Sequence, residues 1–192
     1  MQQLVFATNN RHKLQEVEAK IKGQIKLVTL KDIGFIDEIA ETAVTFRGNA
    51  SLKSNYIFSK YRLNCFGDDS GLEIDALNGE PGVYSARYAG KQGDHEANMD
   101  KVLANLQGIS NRKARFITVI SLIWNGTEYF FDGTVEGTIR QERSGSEGFG
   151  YDPIFQPEGY EVTFAEMGLD EKNKISHRAI AMEKLVSFLG NV

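Results

Sequence analysis

The sequence has one cysteine, no long apolar run and no excess of positive charge, and each shortage excludes a class of protein. Cys65 has no second cysteine with which to form an internal disulfide, which fits a reducing cytoplasm. No apolar run approaches the ~20 residues of a transmembrane helix. The net charge of −4 argues against the broad basic surface of a general nucleic-acid-binding protein. We therefore expect a soluble cytoplasmic protein with neither nucleic acid nor membrane as a partner.

The 192 residues suffice for one compact domain, which we expect to span residues 1–192, although two lobes sharing one sheet also fit this length. Hydrophobic residues make up 41% and charged residues 25%, as in ordinary globular proteins. The clearest strand pair flanks Asn125-Gly126, a dipeptide typical of a two-residue hairpin turn. Units of strand followed by helix, together with this hairpin, predict an α/β fold with a mixed sheet.

The predicted elements alternate along the chain. Strands are predicted at 4–7, 25–29, 65–77 (as a strand or a hairpin), 116–124 and 129–139. Residues 78–92 and 144–150 are predicted as glycine-rich loops. Helices are predicted after residue 10 (through Leu14, Val17 and Ile21, closed by Gly23), at 44–62, at 94–107, and from about Ser176 with Ile180, Leu185 and Leu189 packed inward.

The first polar segment, Thr8-Asn9-Asn10-Arg11-His12-Lys13, stands where a strand gives way to a helix. The first backbone N–H groups of a helix have no partner within it, and they attract anions. Thr8 and Asn10 would add hydrogen-bonding side chains and Lys13 a mobile positive charge, so that the segment could hold a phosphate. An Asn N-cap followed by a surface lysine is the alternative.

The second segment is the acidic run Gly67-Asp68-Asp69-Ser70-Gly71-Leu72-Glu73. Adjacent carboxylates on an apolar strand are costly unless a cation or hydrogen bonds compensate them. Because successive strand residues point to opposite faces, only one of Asp68 and Asp69 would face a given site, with Glu41 as a candidate partner from another loop. Such hard oxygen ligands suit Mg²⁺. A solvated acidic turn is the alternative.

The third segment, Gly148-Phe149-Gly150-Tyr151-Asp152-Pro153, places two glycines around an aromatic residue. The glycines would let the backbone approach a flat ligand closely. Phe149 could stack on a base, and Asp152 could accept hydrogen bonds from a base or ribose. A turn whose aromatic residues pack into the core is the alternative.

The fourth candidate group is Lys172 with Ser176-His177-Arg178. Ser176 is a plausible N-cap, which puts His177 and Arg178 on the first helical turn, where the helix dipole disfavours cations. An arginine is favourable there if it faces an anion or an acceptor such as a carbonyl oxygen. A capping serine beside a surface arginine is the alternative.

Other catalytic arrangements find no support. The residues Cys65, His12, His95 and His177 lack metal-ligand spacing. Ser70 lies in Asp-Ser-Gly rather than in a Gly-x-Ser-x-Gly turn, which weakens a serine hydrolase interpretation. The sequence also lacks the glycine patterns of P-loop and Rossmann nucleotide-binding proteins.

Taken together, the order and spacing of these segments resemble the inosine triphosphatase (non-canonical purine nucleoside triphosphate pyrophosphatase, HAM1-like) family over nearly the whole chain. The resemblance implies an elongated α/β fold with a mixed sheet flanked by helices, two lobes around a central cleft, and a homodimer. It also implies Mg²⁺-dependent hydrolysis of ITP, dITP and XTP to the monophosphate and pyrophosphate. The matching segments are Thr8-x-Asn10-x-x-Lys13, Glu41-Thr42, Asn49-Ala50-x-x-Lys53, Asp68-Asp69-Ser70-Gly71-Leu72, Pro81-Gly82-x-Tyr84-Ser85-Ala86-Arg87-Tyr88, Gly148-Phe149-Gly150-Tyr151-Asp152-Pro153-Ile154-Phe155 and Ser176-His177-Arg178.

The resemblance also implies roles for individual residues. Glu41 and Asp69 would hold Mg²⁺, and Asp69 would activate the attacking water, with Ser70 contacting substrate beside it. The triphosphate would be bound by Lys53 and the segment Thr8, Asn9, Asn10, Arg11, His12 and Lys13. The nucleoside pocket would be lined by Phe149, Gly150, Tyr151 and Asp152, and the 6-oxo base would be read by Lys172, His177 and Arg178.

Two departures from the family pattern are visible. Arg47-Gly48 precedes Asn49 where relatives often carry an acidic residue, which puts a contact supporting the metal in doubt. Glu142-Arg143-Ser144 replaces a more usual Pro-Arg-Gly before the glycine loop.

Two other functions remain open from the sequence. A septum-inhibitor (Maf-like) pyrophosphatase would act on modified pyrimidine or other nucleotides, and a nucleotide sensor would bind without catalysis. The Ser-His-Arg and Phe-Gly-Tyr-Asp segments argue against the first, and the acidic pair with Glu41 argues against the second.

Overall fold

The computed structural model describes residues 2–18, 21 and 25–191 and contains a six-stranded sheet with strand order β2-β1-β3-β4-β5-β6. Strand β1 pairs in parallel with both β2 and β3, whereas β6 pairs antiparallel with β5, so the sheet is mixed. The strands are β1 (Gln2–Phe6), β2 (Ile25–Thr29), β3 (Cys65–Ile74), β4 (Lys113–Trp124), β5 (Thr127–Ile139) and β6 (Phe155–Pro157). The helices are α1 (Arg11–Glu18), α2 (Phe46–Tyr61), α3 (His95–Asn105), α4 (Leu169–Ile175) and α5 (His177–Leu189), with short 3₁₀ helices at Asp75–Leu77, Gly82–Arg87 and Asp152–Ile154.

The chain folds into two compact units. The first consists of Met1–Asp69, Thr118–Gly133 and Arg178–Val192, and the second of Ser70–Ile117 and Thr134–His177. The single domain predicted over residues 1–192 and the central cleft stay predictions.

In the first unit, strand β1 is buried on both faces. Leu4 and Phe6 pack into one apolar cluster, where Phe6 stacks on Phe66 with ring centroids 4.3 Å apart. Val5 and Ala7, which point the other way, pack into a second cluster with Ile57 and Cys65. Burial on both faces is typical of an inner parallel strand and explains the uninterrupted apolar run 4–7.

The second unit has its own core of aromatic and aliphatic side chains. Phe116 lies at its centre, 4.6 Å from the Phe155 ring and 6.0 Å from the Phe164 ring between centroids. Met99 and Val102 of α3 add a buried helical stripe, as the apolar spacing of residues 94–107 predicts.

Local sequence signals account for several element ends. The Thr45 hydroxyl accepts a hydrogen bond from the backbone N–H of Gly48 (3.0 Å) and caps α2. Asn125 and Gly126 both have positive φ values, 50° and 82°, as a type I′ turn between β4 and β5 requires. The hairpin, strand β2 and the helix within 44–62 are thus confirmed.

Other sequence-based expectations differ from the structure. The strand predicted at 65–77 ends at Ile74, the loop 78–92 contains the 3₁₀ helix Gly82–Arg87, and α4 and β6 were not predicted. Gly23, predicted to close the first helix, lies outside the described residues. Among the residues described, no helix combines the length and apolar character needed to cross a membrane.

Candidate active site

The turn between β1 and α1 is held by its own polar side chains. Asn10 Oδ1 accepts hydrogen bonds from the backbone N–H groups of His12 (3.0 Å) and Lys13 (3.2 Å), so Asn10 is the N-cap of α1. Thr8 Oγ1 accepts from the backbone N–H of Asn10 (3.2 Å). Asn9, His12 and Arg11 are exposed around this turn. The N-cap at Asn10 is therefore confirmed, the surface lysine of that alternative is not, and the phosphate role of the segment stays a prediction.

Lys13 is not the mobile surface charge that the sequence suggested. Its side chain is only 13% exposed, and its Nζ lies 2.9 Å and 3.0 Å from the two carboxylate oxygens of Asp68. Burial lowers the pKa of Lys13, although the charge of Asp68 opposes this shift. The prediction was wrong because a one-dimensional pattern does not show that β3 places a carboxylate beside the first turn of α1.

Asp68 is a buried anion held between cations. Arg178 Nε lies 3.3 Å from Asp68 Oδ2, and Arg178 Nη1 forms an ion pair with the buried Glu16 of α1. Burial alone would raise the pKa of Asp68, but the charges of Lys13, Arg178 and Lys53 outweigh it and hold the pKa well below its usual range. Asp68 is consequently ionised at neutral pH and a poor base.

Asp69 has a different environment. It is 5% exposed, and its Oδ2 accepts a hydrogen bond from Asn49 Nδ2 (2.9 Å). Burial raises the pKa of Asp69 and the negative charge of Glu41 adds to this, while Lys53 and Lys13 oppose it. A carboxylate with a raised pKa is a stronger proton acceptor, so Asp69 is the better candidate base of the pair.

Lys53 lies among three acidic residues. Its Nζ forms an ion pair with Glu41 and donates to the backbone carbonyl of Asp68 (2.7 Å). Burial disfavours its charge, but attraction to Asp68, Glu41 and Asp69 outweighs burial and raises the pKa of Lys53. Lys53 is therefore firmly protonated, as a phosphate ligand should be.

The donor set of Glu41 and Asp69 fits Mg²⁺. Both are hard carboxylate oxygens. Burial raises the pKa of Asp69 and the like charge of Glu41 adds to this, a repulsion that a divalent cation would relieve. The described residues contain no group of three or more histidine, cysteine, aspartate or glutamate side chains arranged for a metal. Two carboxylates completed by water and phosphate oxygens are the usual arrangement for Mg²⁺ in nucleotide enzymes.

A second polar cluster lies in the second unit. Asp152 Oδ2 accepts hydrogen bonds from Lys172 Nζ (2.7 Å) and from the backbone N–H of Phe149 (2.8 Å). Lys172 Nζ also lies 5.0 Å from the centroid of the half-buried Phe149 ring. Gly148 has φ +77°, and a Cβ added there would lie 2.1 Å from Asp152 Oδ2. Only glycine therefore permits this loop to wrap around the carboxylate.

Several predicted ligands of the nucleoside also have contacts within the core of the second unit. Tyr151 is buried and donates through its hydroxyl to the backbone carbonyl of Ser85 (2.7 Å), and its place lining the nucleoside pocket stays a prediction. The His177 ring is buried and stacks on Phe116 with centroids 4.7 Å apart. Gly150 is half-buried with φ +67°, and Ser70 is half-buried on β3.

Arg178 belongs to the acidic cluster of the first unit, because its guanidinium contacts Asp68 and Glu16. Its predicted hydrogen bond to the 6-oxo group stays a prediction. Glu16 was not among the predicted site residues, and Asn49 had no predicted role. No local signal points to Glu16, because the helical spacing of Leu14, Val17 and Ile21 leaves it off the apolar face of α1, and it is buried as the partner of the distant Arg178.

Comparison with known proteins matches residues 4–188 to the model of the Ham1 family. A dITP/XTP pyrophosphatase of Flavobacterium psychrophilum is 51% identical over 189 residues, which cover 98% of this chain and 100% of the relative. One from Porphyromonas gingivalis is 50% identical over 190 residues, which cover 98% of each chain.

Solved structures of Ham1 proteins also align with this chain over nearly its whole length. The Staphylococcus aureus Ham1 protein aligns with TM-score 0.91 and 38% identity, covering 99% of each chain. A HAM1 protein from Coxiella burnetii aligns with TM-score 0.93 and 38% identity, covering 100% of each. These similarities confirm the predicted α/β fold with a mixed sheet flanked by helices.

Proposed function

The chain belongs to the Ham1 family, and we propose that it hydrolyses non-canonical purine nucleoside triphosphates (ITP, dITP and XTP) to the monophosphate and pyrophosphate. The family expected from the order of the motifs is thereby confirmed. Relatives with about half of their residues identical bear the name dITP/XTP pyrophosphatase, which supports the proposed substrate class. The observation that carries the proposal is the buried cluster in which Asp69, with its raised pKa, lies close to Glu41 and Lys53.

The phosphate end of the substrate would meet the cations of the first unit. Lys13 and Lys53 supply positive charge beside Asp68 and Glu41, and the start of α1 adds the positive end of a helix dipole. A triphosphate carries several negative charges, so it would compete with Asp68 and Glu41 for these two lysines. Such a preformed field stabilises charge that develops on the phosphoryl oxygens.

Asp69 would take a proton from the attacking water. The water oxygen forms a bond to the α-phosphorus, and the bond from that phosphorus to the bridging oxygen breaks, so that pyrophosphate leaves. The proton passes to the Asp69 carboxylate. Of the adjacent pair, Asp68 is unsuited to this step because Lys13 and Arg178 already pair with it and hold its pKa low.

Glu41 and Asp69 would hold Mg²⁺. When bound, the ion would neutralise phosphate charge and increase the acidity of water. In that state Lys53 would lose part of its attraction to Glu41 and could interact with phosphate oxygens instead.

The base would be read by the cluster of the second unit. Lys172 offers a donor and Asp152 an acceptor, which is the pattern that the O6 acceptor and N1–H donor of hypoxanthine and xanthine require. Adenine reverses both groups, so that a donor would face the Lys172 ammonium and an acceptor would face the Asp152 carboxylate, a costly mismatch. Phe149 would stack on the purine, as aromatic side chains stack on bases elsewhere.

A pyrophosphate-release screen over ITP, XTP, dITP, GTP, ATP and the pyrimidine triphosphates tests this function. We expect Mg²⁺-dependent release, fastest with ITP, XTP and dITP and abolished by EDTA. Fastest turnover of a pyrimidine triphosphate would reassign the chain to the Maf-like activity. Binding of ITP without release would instead favour a sensor.

The homodimer that the resemblance implies is part of the proposal. Light scattering coupled to size-exclusion chromatography would give about twice the 21.4 kDa mass of the chain if it is correct. A monomer mass would refute the dimer.

A further inference from the structure

Asn49, in the first turn of α2, is a polar side chain with no exposed surface. Its Nδ2 donates to Asp69 Oδ2, and its Oδ1 accepts from the backbone N–H of Ala43, both at 2.9 Å. A backbone N–H can only donate and an ionised carboxylate can only accept, so these contacts require one donor and one acceptor on the same side chain. The Asn49 amide satisfies both requirements, and the two contacts determine where its nitrogen and its oxygen point.

These two contacts join the segments that carry the proposed metal ligands. Ala43 lies two residues after Glu41, and Asp69 is the other ligand. Lys53 lies four residues after Asn49, so the two share one face of α2. Lys53 forms an ion pair with Glu41 while Asn49 donates to Asp69, and a single helix face therefore contacts both carboxylates.

Two glycines permit these close approaches. A Cβ on Gly48 would lie 2.6 Å from the Cβ of Ala43, and a Cβ on Gly67 would lie 2.6 Å from the Cβ of Lys53. Both distances are well below the roughly 3.5–4.0 Å of an ordinary carbon contact. Gly48 thus lets the segment after Glu41 lie against α2 within reach of Asn49.

The charge of the group that donates a hydrogen bond to a carboxylate also affects how well that carboxylate can bind a metal. Asp68 is neutralised by two cations, Lys13 and Arg178, and this neutralisation makes it a weak ligand for another cation. Asn49 orients Asp69 with a neutral group, which adds no positive charge that would compete with Mg²⁺ for the carboxylate. An amide can therefore preorganise a metal ligand without competing with the metal.

We propose that Asn49 is a positioning residue, which orients the Asp69 carboxylate and holds the Glu41 segment so that both oxygen ligands are arranged before Mg²⁺ binds. The inference rests on the proposed function, because it assigns a role within that site. Loss of such a supporting hydrogen bond typically weakens metal affinity or activity by about 10–100-fold.

The test compares Asn49→Ala and Asn49→Ser with Asn55→Ala. Asn55 is an exposed asparagine of the same helix that hydrogen-bonds with Ser51 and Glu128. Binding of Mn²⁺ alone to the nucleotide-free protein is measured by electron paramagnetic resonance, with Mg²⁺ as competitor, and kcat and KM are measured with ITP. We expect the Mn²⁺ Kd to rise and kcat to fall by about 10-fold or more in both Asn49 variants. The KM for ITP should change much less, and Asn55→Ala should match the wild type in all three.

Unchanged Mn²⁺ affinity and kcat in a folded Asn49→Ala protein, with only a lower melting temperature, would overturn the inference in favour of a purely structural role. If Asn49→Ala does not fold, Asn49→Ser decides by the same two readouts. Failure of the proposed function is recognised separately, because the wild type would then release no pyrophosphate from ITP or XTP. The Mn²⁺ comparison between wild type and variants would still test Asn49.

Discussion

At the scale of single residues, the adjacent carboxylates of β3 show how neighbours decide chemistry. Asp68 and Asp69 are both buried and differ by one position, so strand alternation gives them different partners. Lys13 and Arg178 hold the pKa of Asp68 low, whereas burial and Glu41 raise the pKa of Asp69. Asp68 therefore pairs with cations, whereas Asp69 can accept a proton.

Asp69→Asn should lower kcat with ITP by at least about 10²–10⁴-fold, the usual contribution of general-base catalysis. Asparagine has nearly the same size but cannot accept the proton, and it removes one ligand charge from the proposed metal site. Steady-state pyrophosphate release at saturating Mg²⁺ measures the effect. Asp75→Asn, an exposed aspartate just after the same strand, should keep wild-type turnover. Near wild-type kcat in Asp69→Asn would move the base role to Asp68 or Glu73.

Lys13→Ala should reduce both nucleotide binding and stability. The sequence alone predicts an intact fold, but the structure shows that the variant would deprive buried Asp68 of one cation. Leaving such a group underpaired costs about 1–3 kcal/mol. Urea unfolding at pH 7 measures this loss, and KM for ITP should rise. The exposed Lys91→Ala is the control, and equal stability of the two variants would contradict the pairing.

At the scale of elements, the approach of α2 to β3 brings the site together. Gly67 of β3 lies where a Cβ would come within 2.8 Å of the carbonyl oxygen of Ala50. Because the helix backbone is this close, Lys53 can reach the carbonyl of Asp68 and Asn49 can reach the side chain of Asp69.

Gly67→Ala should therefore push α2 away from β3. We expect a stability loss of about 1–3 kcal/mol, as is usual for overpacking in a core, together with reduced kcat. Gly190→Ala, whose Cβ would meet only ordinary contacts of 3.6 Å, is the matched control. Equal unfolding midpoints in urea for these two variants would show that the α2–β3 spacing tolerates a methyl group.

Elements with strong local signals could be predicted, and those shaped by distant contacts could not. The Asn125-Gly126 turn requires two positive φ values that these residues tolerate, so the hairpin is evident from sequence. Helix α4 is seven residues long and mostly charged, yet it buries Lys172 and Asn173. Its sequence carries no apolar period, and the buried Lys172 pairs with Asp152, which is 20 positions away and is not linked to it by any local pattern.

At the scale of the whole molecule, each compact unit contains a polar cluster with its own chemistry. The order of motifs was enough to identify the family and nominate nearly every residue of both clusters. It did not reveal their partners, since Arg178 and Glu16 are 162 positions apart and no local pattern links them. Lys13 pairs with Asp68, which is 55 positions away, and this distant pairing also explains why Lys13 was wrongly expected to be mobile.

The most direct test of the proposed function is a competition between ITP and ATP at equal concentration in one Mg²⁺-containing reaction. Ion-exchange chromatography would quantify every nucleotide product, and a coupled assay would quantify pyrophosphate and phosphate. We predict that IMP and pyrophosphate accumulate in equal amounts while AMP stays at the level of an enzyme-free control. Formation of IDP with phosphate, or formation of AMP as fast as IMP, would contradict the proposed function.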